Sequence, residues 1–199
     1  EGEKDQLRIT MLEAGFPLLK QYGMTHTTVA KITNAAGIAK GTFYHFWKNK
    51  EEYMAELIIY HRQKMIPVLI GEDVISGRRK LTEDDARVYL HNVVNEDISI
   101  YPHLTLEDEA RIFRNTDEFS PDIEKETAIT RGLLGYLDNV REDVNIPLIA
   151  NMSKILVLTS ESKEELHKEV YRETIDTLIE TILDLIFERS SSNPPLQAR

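Results

Sequence analysis

A chain of 199 residues with 41% hydrophobic content, a net charge of −10 and no cysteine is long enough for one or two small domains with a real core, and it excludes disulfides and thiolate metal sites. The longest apolar runs, such as "MIPVLI", fall far short of the roughly 20 residues that a membrane span needs. No basic-then-apolar leader stands at the N-terminus, so a cytoplasmic setting is expected, with no membrane partner.

The charge is uneven along the chain. The first fifty residues carry seven lysines and arginines against four carboxylates, and the remainder carries 17 against 30. Between Ala14 and Lys50 there are five lysines and no carboxylate. A basic head on an acidic body suggests two separate tasks.

Helical periodicity runs almost end to end. Ile9, Leu12, Phe16 and Leu19 make one stripe, Gly23 closes that helix, and Pro17 inside it predicts a kink or an irregular turn. Thr27 or Thr28 caps a second helix that ends at Gly37. A third runs from about Ala39 to Phe46. Asn49 opens a fourth with Glu52 three residues on, as in a capping box, and Pro67 ends or bends it. Further helices are expected over 82–100, in "TLEDEARIFRN", over 121–142 from a Ser120-Pro121 start signal, over 147–158 and over 163–189. No segment alternates as a strand does, so the fold class is all-α. The expected units are a head at 1–50, a helical body at 51–189 and a disordered tail at 190–199.

The window from Thr27 to Tyr53 reads as helix, tight turn, helix. A helix-turn-helix offers the N-terminal part of its second helix to base edges in the major groove. It also needs phosphate donors without carboxylates beside them. Lys40, Lys48 and Lys50 and the hydroxyls of Thr27, Thr28, Thr42 and Tyr44 supply the donors, and Gly41 allows close backbone approach. A polyanionic partner, double-stranded DNA, explains the missing carboxylates.

These residues resemble the N-terminal domain of the tetracycline-repressor (TetR) family. The match lies in Thr27-Thr28, Ile32, Ala36-Gly37-Ile38, Lys40-Gly41-Thr42-Phe43-Tyr44, the aromatic Trp47 and Lys50-Glu51. The resemblance implies groove contacts from Lys40, Thr42 and His45, where Lys and His donate to guanine and the Thr methyl touches thymine; His45 is otherwise a surface residue without a partner. It implies phosphate contacts from Thr28, Tyr44, Lys48 and Lys50, and core roles for Val29, Ile32, Phe43 and Phe46. Several positions depart from the family pattern. Ala39 replaces a frequent Ser and loses a cap of about 1 kcal/mol. Lys31 stands where an acidic residue is common. Trp47 and Tyr53 replace Phe and Leu and are expected in the core.

The resemblance further implies a homodimer, and one short helix reads too few bases alone. Its expected face is Ile149, Met152, Ile155 and Leu156 with Ile175, Leu178, Ile179, Ile182, Leu183 and Ile186, forming a four-helix bundle; the other reading packs both stripes inside one subunit. The middle helices are expected to enclose a small-molecule effector near Tyr89, Val93, Asp97, Phe113, Thr130, Leu134 and Tyr136. Asp97 either meets a cationic or hydroxylated ligand or reaches solvent. The three carboxylates of "LEDEAR" read as surface. His61, His91, His103 and His167 show no metal-ligand spacing. With no glycine-rich phosphate loop or nucleophile elbow, no cofactor and no enzyme activity are expected. The expected function is a regulator, a repressor by preference, that binds a palindromic operator as a homodimer and is released by a ligand. The alternative is a protein of the same fold acting mainly through a protein partner.

Overall fold

The structure, a computed structural model, describes residues 2–116 and 122–188. The described residues form helices and no named strand, with two isolated bridges, Leu81 to Leu137 and Val140 to Phe187. The helices are α1 (Gly2–His26), α2 (Val29–Ala36), α3 (Lys40–Phe46), α4 (Lys50–Ile70), α5 (Glu72–Ile75), α6 (Glu83–Val93), α7 (Leu106–Asn115), α8 (Ile123–Leu134), α9 (Ile146–Glu161) and α10 (Tyr171–Ile186). No described helix is long and apolar enough to cross a membrane.

The first core begins with the stripe on α1. Met11, Leu12 and Leu19 are buried against α4, where Tyr53, Met54, Leu57 and Ile58 answer them. Each such side chain contributes roughly 1.5–3 kcal/mol when fully buried. The two helices approach closely at Gly15, where an added Cβ would stand 2.2 Å from the Tyr53 Oη and 2.7 Å from Leu57 Cδ2. The Tyr53 hydroxyl uses this proximity to donate to the Met11 carbonyl at 2.8 Å. Pro17 does not break the helix. Backbone angles depart from helical only at Gly23 (φ 66°). Pro17 sits on the exposed side, where water can satisfy the carbonyl that loses its intrahelical partner.

The core of the head does not stop at residue 50. Ile100, Leu104 and Ile112 join it from the middle of the chain. The expected helix over 82–100 stops at Val93 instead. The chain then turns: the Asn95 side chain accepts from the Asp97 N–H at 2.8 Å and the Asn95 carbonyl accepts from the Ser99 N–H at 2.7 Å. That turn delivers Ile100 and Leu104 under the head, where burial outweighs the last turns of a polar helix.

A second core joins α6, α9 and α10. It bears on the two apolar stripes expected at a dimer face. Ile149, Leu156, Ile175, Ile179, Ile182, Leu183 and Ile186 are all buried within one chain. Ile155 is exposed, and Met152 and Leu178 are half-buried. The two stripes therefore face each other and α6, because α10 needs an intrachain partner for its broad apolar side.

The expected helix over 121–142 ends at Leu134, and Ser120 and Pro121 lie outside the described residues. Past Gly135 the chain is pinned by Leu81 N–H to Tyr136 O and by Asp138 N–H to Leu81 O, each 2.8 Å. The last expected helix begins at Tyr171, after two 3₁₀ turns at Lys163–Glu165 and Lys168–Val170. Pro67 lies within α4, which continues to Ile70. The expected tail at 190–199 lies outside the described residues.

Gly15→Ala should destabilise the protein by roughly 1–3 kcal/mol through overpacking against Tyr53 and Leu57. Gly132→Ala in α8, where nothing stands within 4 Å of the added Cβ, should be neutral or stabilising by up to ~1 kcal/mol. Chemical denaturation of the two variants beside the parent protein checks both signs.

Candidate nucleic-acid interface and cavity

The turn between α2 and α3 follows from local chemistry. The Thr28 hydroxyl caps α2 by accepting from the Lys31 N–H at 3.2 Å. Gly37 ends it with φ 68°, a left-handed conformation that strains any residue with a Cβ, while the Ile38 N–H returns to the Thr33 carbonyl at 2.9 Å. Ala39 precedes α3 without a side-chain cap, in line with the loss expected from replacing Ser.

One side of α3 is inward. Phe43 is fully buried and stacks with Trp47 and Tyr53 at centroid distances of 5.0 and 5.5 Å. The Trp47 indole N–H donates to Glu56 Oε2 at 2.7 Å, and Arg8 pairs with the same oxygen at 2.8 Å. Trp47 and Tyr53 are therefore core, as expected. With this side anchored, Lys40, Gly41, Tyr44, His45 and Lys48 share the exposed side. Thr42 is half-buried beside them, and Thr28 is exposed at the start of α2. Six of the nine expected DNA contacts thus lie open on this surface.

Two others are turned away from it. Thr27 is completely buried, and its hydroxyl donates to the Gly23 carbonyl at 2.7 Å. It splices α1 to α2 rather than presenting a phosphate donor. Lys50 is half-buried, with its ammonium donating to the Met24 carbonyl at 2.7 Å. Burial, and then the Arg111 charge, lower its pKa. Its charge ties α4 to the end of α1.

The body holds a cavity of about 230 Å³ between α4, α6, α8 and α9, with Ile182 and Ile186 of α10 also in its lining. Of the expected ligand residues, Tyr89, Val93, Thr130 and Leu134 line it. Asp97 does not: it is exposed and pairs with Lys20 on α1, which holds its carboxyl below the ordinary range. Phe113 and Tyr136 also lie outside the lining, and Tyr136 packs on Ile70, Val74 and Leu81. Sequence reasoning missed His61, Arg62, Tyr101 and Lys154, which do line it. A signal existed for Arg62: it interrupts the apolar side of α4 that Ile58, Met65, Ile66 and Leu69 continue.

The "LEDEAR" carboxylates are a further correction. Glu107 is exposed, but Asp108 caps α7 and Glu109 is buried. Glu109 faces Lys154 at 3.4 Å and stands beside Glu161, also buried, whose oxygens meet no donor among the described residues. Burial first and the Glu109 charge second push the Glu161 carboxyl up to about 9. One proton shared between two acceptors resolves the pair.

A helix-turn-helix head with a cationic reading helix, set on a helical body with an internal cavity, defines a class of DNA-binding regulators. Residues 11–57 match the family model of bacterial regulatory proteins of the tetR family. The chain is 28% identical over 87 residues to the HTH-type transcriptional regulator BetI of Pseudomonas fluorescens, a match spanning 44% of this chain and only 42% of that relative's length. In fold it is similar to the TetR family transcriptional regulator of Cytophaga hutchinsonii, with a TM-score of 0.58 and 19% identity over 94% of this chain and 98% of that one. It is also similar to TylP, a TetR regulator from Streptomyces fradiae, with a TM-score of 0.55 and 15% identity over 92% and 88%. The N-terminal segment of this chain thus matches the tetR family of bacterial regulatory proteins, and the chain as a whole shares the fold of TetR regulators.

The pair at Glu161 makes stability depend on pH. A carboxyl whose folded pKa lies above its unfolded value of 4.5 contributes fully below that value and loses its contribution as pH rises toward about 9. Between those limits the parent protein should lose stability relative to Glu161→Gln, by roughly 1–3 kcal/mol at the alkaline end. Melting temperatures of both proteins across this range should diverge steadily; parallel curves would show that Glu161 does not hold a proton.

Proposed function

We propose that this chain is a TetR-family repressor that binds a palindromic operator as a homodimer and is released when a small molecule enters the cavity. The observation that carries the reading is the exposed row Lys40, Gly41, Tyr44, His45 and Lys48 on a head whose α4 also walls the cavity. Lys40, Thr42 and His45 read bases. Thr28, Tyr44 and Lys48 hold phosphates.

The dimer uses what the intrachain core leaves over. Leu148 and Ile155 are exposed on α9, with Met152 half-buried beside them, and Leu178 and Leu185 are half-buried on α10. Paired with a second copy, these residues complete a four-helix bundle.

His61 offers the route from ligand to head. It lines the cavity, its ring lies 4.3 Å from Phe16 of α1, and its Nε2 is 2.9 Å from the Ile98 carbonyl. Burial lowers its pKa, which favours the neutral ring with the proton on Nε2 as donor. A ligand that displaces α4 at His61 shifts α1 with it and changes the spacing of the two reading helices. It need only prefer the wide-spaced state by a few kcal/mol. The cavity favours this ligand control over action through a protein partner alone.

Fluorescence-anisotropy titration with operator fragments tests the reading. Affinity should fall steeply with salt, by about 0.9 in log slope per phosphate contact. Lys48→Ala should weaken all sequences alike and reduce that slope by about 1, whereas Lys40→Ala should cost ~1–3 kcal/mol at one base position and relax specificity there. Salt-insensitive binding would overturn the proposal.

A further inference from the structure

The cavity has a direction. Along α4 its wall runs from His61 and Arg62 to Ile70, about 12 Å at the helical rise. The other walls keep the same polarity. On α8 it runs from Glu126 through Ile129 to Leu133, and beyond that helix to Leu137, while on α9 Lys154 and Ile149 mark the polar and apolar ends.

The polar end is built of donors. Arg62, Tyr101 and Tyr89 line it together, and the Arg62 charge acts on both phenols. Burial pushes the Tyr89 phenol up to about 12 and raises Tyr101 as well, so both rings keep an O–H to give. The opposing carboxylate is weakly placed. Glu126 Oε1 stands 4.0 Å from Arg62 Nη1, and its side chain is 58% exposed. A rim pair of this kind is worth ~0–1 kcal/mol, so an incoming anion displaces it at little cost. Lys154 is already held by Glu109 at 3.4 Å. An incoming cation would instead face the Arg62 charge, with only the exposed Glu126 carboxylate to offset it.

The apolar end asks for hydrocarbon. No residue of α8 is buried. Its Ile129, Leu133 and Leu134 line the cavity, so a chain lying there would complete the packing of that helix.

We propose that the cavity takes an amphiphilic carboxylate, a medium-chain aliphatic acid whose head sits on Arg62, Tyr101 and Tyr89 and whose chain runs toward Ile70 and Leu137. Its role as an inducer rests on the regulator reading above; its binding does not. The volume of about 230 Å³ lies below the usual ~300–1,000 Å³ of sites for drug-sized ligands, which selects a decanoate-sized molecule over a long-chain acid.

Calorimetric titration of the full chain with decanoate, decanol and decyltrimethylammonium tests this. Decanoate should bind about ten-fold or more tightly than the other two, as one charge-assisted contact is worth. Arg62→Gln should remove most of that preference while leaving decanol affinity within about two-fold, and Arg62→Lys, which keeps the charge, should retain it. The proposal is overturned if the alcohol or the cation binds as well as the acid, if none of the three binds, or if Arg62→Gln weakens all three alike. Operator release by decyltrimethylammonium but not decanoate would sink the carboxylate and leave the ligand-released regulator standing. Tight decanoate binding by a protein that ignores DNA would do the reverse.

Discussion

The contact of α1 with α4 is the constraint on which the rest depends. Gly15 lets the two helices meet closely enough for the Tyr53 hydroxyl to reach the Met11 carbonyl, and Tyr53 in turn supports Trp47 and Phe43. That aromatic stack decides which side of α3 is inward. The opposite side is exposed because three large rings have claimed the first, and its lysines and hydroxyls then form a surface suited to a polyanion. Loosening the helix pair would leave α3 with correct residues but no fixed orientation, and base reading depends on orientation.

The same pair of helices joins head to body. α4 contributes to the buried core of the head in its first half and to the cavity wall in its second. Lys50 is fastened to the end of α1, and Glu13 binds Lys64 and Tyr60 across the pair. Ile100, Leu104 and Ile112 reach under the head from the middle of the chain. Head and body thus share buried surface, so a displacement beside the cavity cannot be confined there. Close-packed interiors transmit such strain rather than absorbing it.

Electrostatics divides the molecule in a way that total charge conceals. The body's acidic excess is mostly solvated, yet Glu109 and Glu161 are buried together with one nearby lysine. Two carboxylates so placed are tolerable only with a shared proton. At the cavity, Arg62 stands among phenols with a loosely held carboxylate at its rim. Charge that is weakly paired and partly withdrawn from water is the kind that a ligand can recruit.

The sequence by itself determined the helical class, the caps at Gly37 and Asn49, and a cap at Thr27 or Thr28 from which the structure chose Thr28. These rest on periodicity, left-handed turns and side chains that bond their own backbone, all of which act within a few residues. Tertiary structure decided what local signals cannot hold. Thr27 and Lys50 look like phosphate donors in a linear reading, but their partners lie in α1, and only the folded chain shows those groups already satisfied. The stripes on α9 and α10 were equally suited to a neighbour in the same chain or in another copy, since hydrophobic burial has no direction. Arg62, Tyr101 and Lys154 are far apart in sequence and meet only because α4, α9 and the turn before α7 converge. Their shared site is a property of packing distances, and no window of residues encodes it.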